Sequence, residues 1–310
     1  MGRLVDGQWR TGEVAPTDDG GAFQREETTF RGTIEAPEAG RYLLYVSYAC
    51  PWAHRTLVAR ALLGLQDAID VSVVDPHMGE DGWAFSQRAG CVPDPIFGAE
   101  FLREVYTAAK PDYTGKVTVP VLLDTQTKTI VNNESREVLR LLCTEFSKIS
   151  DARIDLCPAP KRSEIDAMID ANYGPINNGV YRAGFAKRQP AYDEAIDDLF
   201  SALDRCERRL RESRFLCGDT LTEADICLFT TLIRFDVVYH THFKCNVKRI
   251  VDYPALWGFV RDIYQMPGVA QTCNFDHIRR HYYGSHPDVN PHGIIARGPA
   301  LDYQSDHGRA

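Results

Sequence analysis

The spacing of apolar residues divides the chain into a first part with predicted strands and a second part without them. Short apolar runs predict buried strands at Tyr42–Val46, Ile69–Val74, Val117–Leu123 and Thr129–Val131. Apolar positions three and four residues apart predict helices from Pro51 to Gly64 and at Glu134–Phe146. The order is strand, helix, strand, a long insertion, then strand, strand, helix, which indicates an α/β arrangement.

The strand signal disappears after Lys161. Amphipathic spacing predicts helices at Ala191–Ser213, Pro254–Met266 and Phe275–Tyr283, and Thr222 begins another through a capping box with Asp225. We therefore expect an N-terminal arm, an α/β domain, an all-helical domain and a C-terminal tail. Their predicted ranges are 1–40, 41–150 (with an insertion at about 75–116), 161–284 and 285–310.

Composition and charge exclude several classes of protein. The chain has 310 residues, a net charge of -8 and nine cysteines. The negative charge argues against a nucleic-acid-binding protein, and no apolar run is long enough to predict a membrane span. Met1–Arg10 lacks the apolar core of a signal peptide. No two cysteines have the spacing of a zinc or dithiol motif, so we expect a cytoplasmic, reduced and metal-free protein.

One cysteine differs from the others in its position. Cys50 lies between the carboxyl end of a predicted strand and the start of a predicted helix, where Pro51 fits the first helical position. Free amides at a helix N-terminus stabilise a thiolate, which is the nucleophilic form. Ala53 replaces the second cysteine of a dithiol motif, so a disulfide at Cys50 must be resolved by a thiol from solution, such as glutathione. The other eight cysteines are expected to be inert, buried side chains.

Two further segments complete a predicted peptide-binding site. Pro120 within a strand indicates either an edge strand or a cis Val119–Pro120 bond, which would turn the Val119 backbone outward to pair with an extended peptide. Glu134 and Ser135 open a helix; by themselves they would be only a cap, but the amides and hydroxyl there would also bind a carboxylate, and Glu134 an α-amino group. A sulfur site, a peptide-pairing strand and an amino-acid site together predict glutathione as the ligand.

The sequence resembles the cytosolic glutathione transferases around Cys50, in the VPVL run, at the Glu134–Ser135 helix start and in the capping box GDTLTEAD. It resembles more narrowly the Xi class, the glutathionyl-hydroquinone reductases, from about Arg41 to Pro299. The segments that carry this resemblance are YACPWAHRTLVAR, DGWAF, YTGKVTVPVLLDTQTKTIVNNES, NNGVYRAGFA and HYYGSHPDVNPHGI. The resemblance implies a thioredoxin-like N-terminal domain followed by an all-α C-terminal domain, and a homodimer in which the insertion is a candidate interface.

The resemblance also implies a role for each candidate residue. Cys50 would take glutathione from a glutathionyl-hydroquinone as a mixed disulfide, and a second glutathione would release oxidised glutathione. The residues implied to bind glutathione are Trp83, Arg103, Val119, Glu134 and Ser135. Those implied to line the aromatic quinol pocket are Trp52, Tyr181, Tyr282 and Tyr283, where the Tyr181 and Tyr282 hydroxyls would act in catalysis by supplying protons and hydrogen bonds.

Two alternatives remain open at this point. An omega-like thioltransferase or dehydroascorbate reductase also uses a lone cysteine, but small substrates of that kind would not need the tyrosine-rich segments. A non-catalytic binding protein built on a transferase fold would not need an activated thiol, so alkylation of Cys50 would distinguish it.

Overall fold

The computed structural model describes residues 2–12 and 15–309. Its strands are β1 Arg3–Val5, β2 Gln8–Arg10, β3 Tyr42–Val46, β4 Ile69–Val73, β5 Met78–Gly79, β6 Gly82–Trp83, β7 Val121–Asp124 and β8 Thr129–Asn132. Its α-helices are α1 Pro51–Leu62, α2 Leu102–Ala109, α3 Ser135–Thr144, α4 Arg162–Asn172, α5 Gly179–Gly184, α6 Gln189–Glu212, α7 Glu223–Arg234, α8 His240–His242, α9 Pro254–Tyr264 and α10 Phe275–Gly284. Short 3₁₀ turns lie at Phe146–Ile149, Ala159–Lys161, Ile250–Asp252 and Ala270–Thr272, and π turns at Tyr173–Asn177 and Phe235–Tyr239.

The chain forms two compact units. The first contains Met1–Ala15, Arg25–Ile154 and Thr272–Ser285, and the second contains Pro16–Gln24, Asp155–Gln271 and His286–Ala310. This division differs from the predicted one, because α10 belongs to the first unit and not to the helical domain. Three long-range hydrogen bonds explain the difference: His281 and His277 bond the carbonyl oxygens of Pro76 and Ala89, and the Met78 amide donates to the Ser285 hydroxyl.

A four-stranded sheet in the order β4-β3-β7-β8 forms the centre of the first unit. The β3–β4 pair is parallel and is connected by α1, while the β3–β7 and β7–β8 pairs are antiparallel. All five residues of β3 are buried, as expected for an apolar strand in the middle of a sheet. The predicted order of elements is confirmed. The predicted strand at Val117–Leu123 is wrong in its first half, because Pro120 has no amide to continue the ladder and β7 begins at Val121.

The predicted N-terminal arm is largely ordered against the first unit. Strands β1 and β2 form an antiparallel hairpin, and Leu4 pairs with Gly115. Farther along, the Gly32 amide donates to the Val131 carbonyl, and the Asn133 amide donates to the Phe30 carbonyl. The arm therefore covers the edge of the sheet at β8, where unpaired strand groups would otherwise be exposed.

The insertion between Asp75 and Lys116 has secondary structure of its own. Strands β5 and β6 form a short hairpin, and α2 follows it. The predicted insertion is therefore an ordered part of the first unit, and it carries Trp83 on β6 and Arg103 on α2.

The second unit is helical around α7. Every residue of α7 is buried, which confirms the prediction of a buried central helix, and its predicted capping box between Thr222 and Asp225 is present. The C-terminal tail packs on this unit, where the Gln265 side chain donates to the carbonyl oxygens of Tyr303 and Ser305. Within residues 2–12 and 15–309, none of the helices has the length and apolar content needed to span a bilayer.

Candidate active site

Cys50 occupies the N-cap position of α1. Its carbonyl accepts the first helical bond, from the His54 amide at 3.0 Å, and Pro51 is the first helical residue as predicted. No side chain caps this helix, and its first turn has no acidic residue. The Cys50 thiol is half-buried and lies 3.6 Å from the Val119 carbonyl oxygen, to which it donates. The positive end of α1 therefore acts on the sulfur, and no acidic residue in the first turn of the helix offsets it.

Val119 combines a cis peptide bond with a backbone amide that no described residue accepts from. The Val119–Pro120 bond is cis, which confirms that prediction. Val119 is buried, yet its amide has no acceptor among the described residues. A buried amide without a partner is costly, so this group is a natural donor to a ligand carbonyl next to the Cys50 sulfur.

Glu134 and Ser135 form the N-terminal end of α3. Glu134 is the N-cap, and its carboxylate accepts from the Arg136 amide at 3.2 Å and from the Thr28 hydroxyl at 3.0 Å. Ser135 is buried as the first residue of the helix. This end of α3 combines a fixed carboxylate, which suits an ammonium group, with a hydroxyl and free helix amides, which suit a carboxylate.

Trp52 contacts two arginines. It is half-buried in the first turn of α1, and the guanidinium groups of Arg25 and Arg55 lie 4.7 and 4.5 Å from its ring centre. Both contacts are cation–π interactions. Trp52 therefore packs against cations of the first unit.

Trp83 is buried in the β5–β6 hairpin and stacks on His281 of α10, with ring centres 4.9 Å apart. The His281 ring is itself held by the Pro76 carbonyl oxygen at 3.0 Å. Arg103 has different surroundings: it forms an ion pair with Asp81 at 3.0 Å and lies over the Phe101 ring. Among the described residues, the Arg103 guanidinium contacts Asp81, Phe101 and Trp9, none of which is a predicted site residue.

The predicted pocket tyrosines lie in different units. Tyr282 and Tyr283 are buried on α10 in the first unit, the unit that contains Cys50. Tyr181 lies on α5 in the second unit, in an aromatic cluster with Tyr239 and Phe243, at ring distances of 6.1 and 5.5 Å. The assignment of Tyr282 and Tyr283 to the helical domain was therefore wrong.

Four of the other cysteines have surroundings that suppress thiolate formation. All nine are free, and six of them are buried. Burial raises the pKa of Cys206 to about 12 and that of Cys217 to about 11, and it also raises the pKa values of Cys91 and Cys245. In the described ranges, no group of three or more His, Cys, Asp or Glu side chains is arranged to hold a metal ion.

Sequence reasoning missed three residues that contact the candidate site. Arg25 and Arg55 pack on Trp52, and Thr28 bonds Glu134. The sequence did contain a signal for Arg55. This arginine directly precedes the apolar segment TLVARALL, so it lies on a helix that must pack on the sheet. Arg25 and Thr28 lie in the polar arm, where spacing carries no information about long-range contacts.

Comparison with known proteins identifies the class. Residues 49–145 match the model of the glutathione S-transferase N-terminal domain, and residues 189–262 match that of the C-terminal domain. These matches confirm the predicted thioredoxin-like domain followed by an all-α domain.

Individual relatives extend the match over the whole chain. The glutathionyl-hydroquinone reductase YqjG of Escherichia coli is 49% identical, over 100% of this chain and 98% of its own. PcpF of Sphingobium chlorophenolicum, with the same description, is 50% identical over 97% of each.

Solved structures agree with these relatives. A Xi-class transferase from Natrialba magadii has a TM-score of 0.94 and 55% identity, covering 100% of this chain and 96% of its own. The glutathione-bound structure of YqjG has a TM-score of 0.89 and 50% identity, covering 99% of both chains. The chain therefore belongs to the glutathione S-transferase family and, within it, to the Xi class.

Proposed function

We propose that this protein is a glutathionyl-hydroquinone reductase in which Cys50 is the nucleophile. The observation that carries the proposal is the half-buried Cys50 thiol at the uncapped start of α1, beside the buried Val119 amide that has no acceptor among the described residues. A lone cysteine with this environment suits transfer of a glutathionyl group better than conjugation, in which a cysteine would form a disulfide with glutathione. Relatives that match over nearly their whole length carry this activity in their names.

The chemistry takes two thiol–disulfide-type steps. The Cys50 thiolate attacks the sulfur of the glutathionyl-hydroquinone, the bond from that sulfur to the ring carbon breaks, and its electron pair stays on the ring carbon, which takes up a proton. The thiolate of a second glutathione then attacks the glutathionyl sulfur of the mixed disulfide. The disulfide bond breaks, Cys50 leaves as a thiolate, and oxidised glutathione is released. The ring is reduced by two electrons, which come from the glutathionyl sulfur that was bonded to it and from the thiol of the second glutathione, and these two sulfurs leave together as oxidised glutathione.

The remaining candidate residues bind and orient the tripeptide and the ring. Val119 pairs with the cysteinyl backbone, Glu134 accepts from the α-amino group, and Ser135 donates to the carboxylate at the same end. Trp83, held by His281, packs on the tripeptide. Arg103 is a weaker candidate for a carboxylate partner because Asp81 already pairs with it.

The tyrosines supply protons and hydrogen bonds to the ring. Tyr282 and Tyr181 are proposed as the donors to the ring carbon and the phenolic oxygens, because hydroxyls on aromatic rings combine a stacking face with a polar tip. Trp52 and Tyr283 complete the apolar surroundings of the quinol.

Turnover of a defined substrate tests this proposal. The full-length protein is incubated with glutathione and a glutathionylated hydroquinone, and the hydroquinone and oxidised glutathione are quantified, with mass spectrometry of Cys50 for the mixed disulfide. We expect equal amounts of the two products and an adduct at Cys50 alone. Turnover of dehydroascorbate or of small mixed disulfides, with none of the hydroquinone adduct, would favour the omega-like thioltransferase. Absence of all three activities would favour the non-catalytic binding protein.

We further propose that the protein is a cytoplasmic homodimer that binds neither nucleic acid nor membranes. Nine free cysteines are typical of a reducing compartment, and a net charge of -8 does not favour nucleic acid or anionic lipid. The ordered insertion is the candidate dimer interface. Light scattering after gel filtration tests the assembly, and a mass of 34.9 kDa in place of twice that value would contradict it.

A further inference from the structure

Arg55 is a buried cation that forms no ion pair with any described residue. The side chain lies on α1 and the residue is only 2% exposed, which makes it one of the largest fully buried side chains. Among the described residues, no carboxylate forms an ion pair with it, and its Nε has no hydrogen-bond partner. The contacts that hold it are the Trp52 ring, at 4.5 Å from Cζ, and the Ser135 hydroxyl oxygen, at 3.4 Å from Nη1.

Burial of an unpaired charge is costly. A guanidinium removed from water loses its hydration, and only a close anion with good hydrogen bonds offsets that loss. The cation–π contact with Trp52 offsets part of it. The residue that Arg55 contacts, Ser135, is the first of the ten-residue helix α3, whose free amides also favour an anion. Two independent features, a buried guanidinium and a helix N-terminus, therefore converge on the Ser135 hydroxyl.

We propose that Arg55 is a positioning residue for the α-carboxylate of the γ-glutamyl group of glutathione and that it acts through Ser135. This inference rests on the proposed function, which places glutathione at this site. The Arg55 Nη1 donates to Ser135 Oγ at 3.4 Å, and the Ser135 hydroxyl in turn donates to Glu134 Oε1 at 3.4 Å. When glutathione binds, its ammonium group takes the Glu134 carboxylate, and the Ser135 hydroxyl redirects its proton to the ligand carboxylate at the start of α3. Because the Arg55 side chain is buried, its positive charge is weakly screened by solvent and stabilises that carboxylate.

The geometry selects one of the two carboxylates of glutathione. Cys50 and Val119 hold the cysteinyl residue in the centre of the tripeptide, and Glu134 is the acceptor for an ammonium group. Only the γ-glutamyl end carries an ammonium group and a carboxylate on the same carbon. The carboxylate that reaches Ser135 is therefore the α-carboxylate, and the glycyl carboxylate lies at the other end.

Two truncated peptides separate these contacts. The probe 4-aminobutanoyl-cysteinylglycine lacks the α-carboxylate, and glutaryl-cysteinylglycine lacks the α-amino group. Binding of each, and of glutathione, to the full-length protein is measured by calorimetry under reducing conditions. We expect the wild type to bind glutathione about tenfold to a hundredfold more tightly than the probe without the carboxylate. In Arg55→Met this ratio should fall at least about tenfold, while the ratio for the probe without the amino group stays unchanged.

Arg60 provides the matched control. It lies on the same helix, but its guanidinium donates to the carbonyl oxygens of Ile69 and Gln66, away from Ser135. Arg60→Met should keep both ratios. An unchanged carboxylate ratio in Arg55→Met, or an equal loss in Arg60→Met, would overturn the inference.

Two more variants keep the test decisive if Arg55→Met does not fold. Arg55→Lys retains a cation and should keep more of the carboxylate ratio than Ser135→Ala, which removes the hydroxyl through which Arg55 acts. A full ratio in Ser135→Ala would overturn the inference. Binding is measured without a quinol, so this test does not depend on reductase activity. If the reductase proposal is wrong, the protein will still bind glutathione more tightly than the probe without the carboxylate, but it will release no hydroquinone.

Discussion

The N-terminal ends of α1 and α7 differ in whether a side chain caps them. At α7, the Asp225 carboxylate accepts from the Leu216 amide, the Thr222 amide and the Thr222 hydroxyl, at 2.7, 2.8 and 2.9 Å. At α1, Cys50 occupies the cap position, and neither a capping side chain nor an acidic residue is present in the first turn. The end of α7 is thus satisfied within its own unit, whereas the positive end of α1 acts on a thiol.

This difference separates a stabilising helix start from a functional one. Donors that are fully bonded inside the protein contribute to the free energy of unfolding and have nothing left for a ligand. Donors that lack internal acceptors, such as the Val119 amide and the Arg55 Nε among the described residues, cost stability and remain available for binding. The predictions below test this contrast.

The largest expected effect is on catalysis at the α1 end. Cys50→Ser removes the nucleophilic sulfur and should lower reductase turnover by about a thousandfold or more, while glutathione still binds. Coupled assay of oxidised glutathione and calorimetry measure the two properties. Cys273→Ser, which changes another half-buried thiol of the same unit, is the control and should keep its turnover. Unchanged turnover in Cys50→Ser would contradict the assignment.

The corresponding change at the α7 end should affect stability and leave glutathione binding intact. Asp225→Ala leaves the Leu216 and Thr222 amides buried without an acceptor and should lower the free energy of unfolding by about 3 kcal/mol. Denaturant unfolding measures it, with Asp219→Ala, an exposed aspartate of the same loop, as control. A loss below about 0.5 kcal/mol would show that the capping box is not stabilising.

Asp225 should also make the free energy of unfolding depend on pH. Burial raises the pKa of Asp225 to about 6, above the value of about 3.9 in an unfolded chain. The folded state therefore keeps a proton that the unfolded chain releases, so this contribution to stability is full below about pH 4 and is lost as the pH rises through about 6. Between pH 7 and pH 5, the free energy of unfolding of the wild type should rise by about 1 kcal/mol relative to Asp225→Asn. Parallel pH profiles for the two proteins would contradict this.

The smallest expected effect is at Thr28, on the arm. Thr28→Val removes the hydroxyl that donates to Glu134 and should raise the KM for glutathione about threefold with kcat little changed, because the carboxylate loses one of its orienting bonds. Thr29→Val is the matched control, since the Thr29 hydroxyl donates to the Tyr113 hydroxyl instead. Equal KM values for the two variants would show that Thr28 does not orient Glu134.

Local features of both helix starts were predictable from the sequence. Pro51 after Cys50, the Val119–Pro120 bond and the Thr222–Asp225 pair each involve neighbours within a few residues, where short-range sterics and capping dominate. The order of the β3–α1–β4 and β7–β8–α3 elements followed from apolar spacing for the same reason.

Contacts between distant segments were not predictable in this way. The amphipathic pattern of α10 indicated that one face of this helix is buried. Its hydrogen bonds to Pro76 and Ala89 span about two hundred residues of sequence, so the pattern could not identify these partners. The arm was equally uninformative, since Thr28 reaches Glu134 across 106 positions. An amphipathic pattern indicates which face of a helix or strand is buried, but it does not indicate which other segment covers that face.

The sequence by itself determined the fold class, the position of the thiol at a helix start and the resemblance to the Xi class, because these depend on local spacing and on motifs that can be read directly. The tertiary structure alone decided that α10 joins the unit containing Cys50, that the arm supports Glu134, and that Arg55 is buried against Ser135 without a carboxylate among the described residues. The physical reason is that burial and charge pairing are properties of the packed chain: the same arginine is an ordinary exposed cation in an isolated helix and a costly one in the interior.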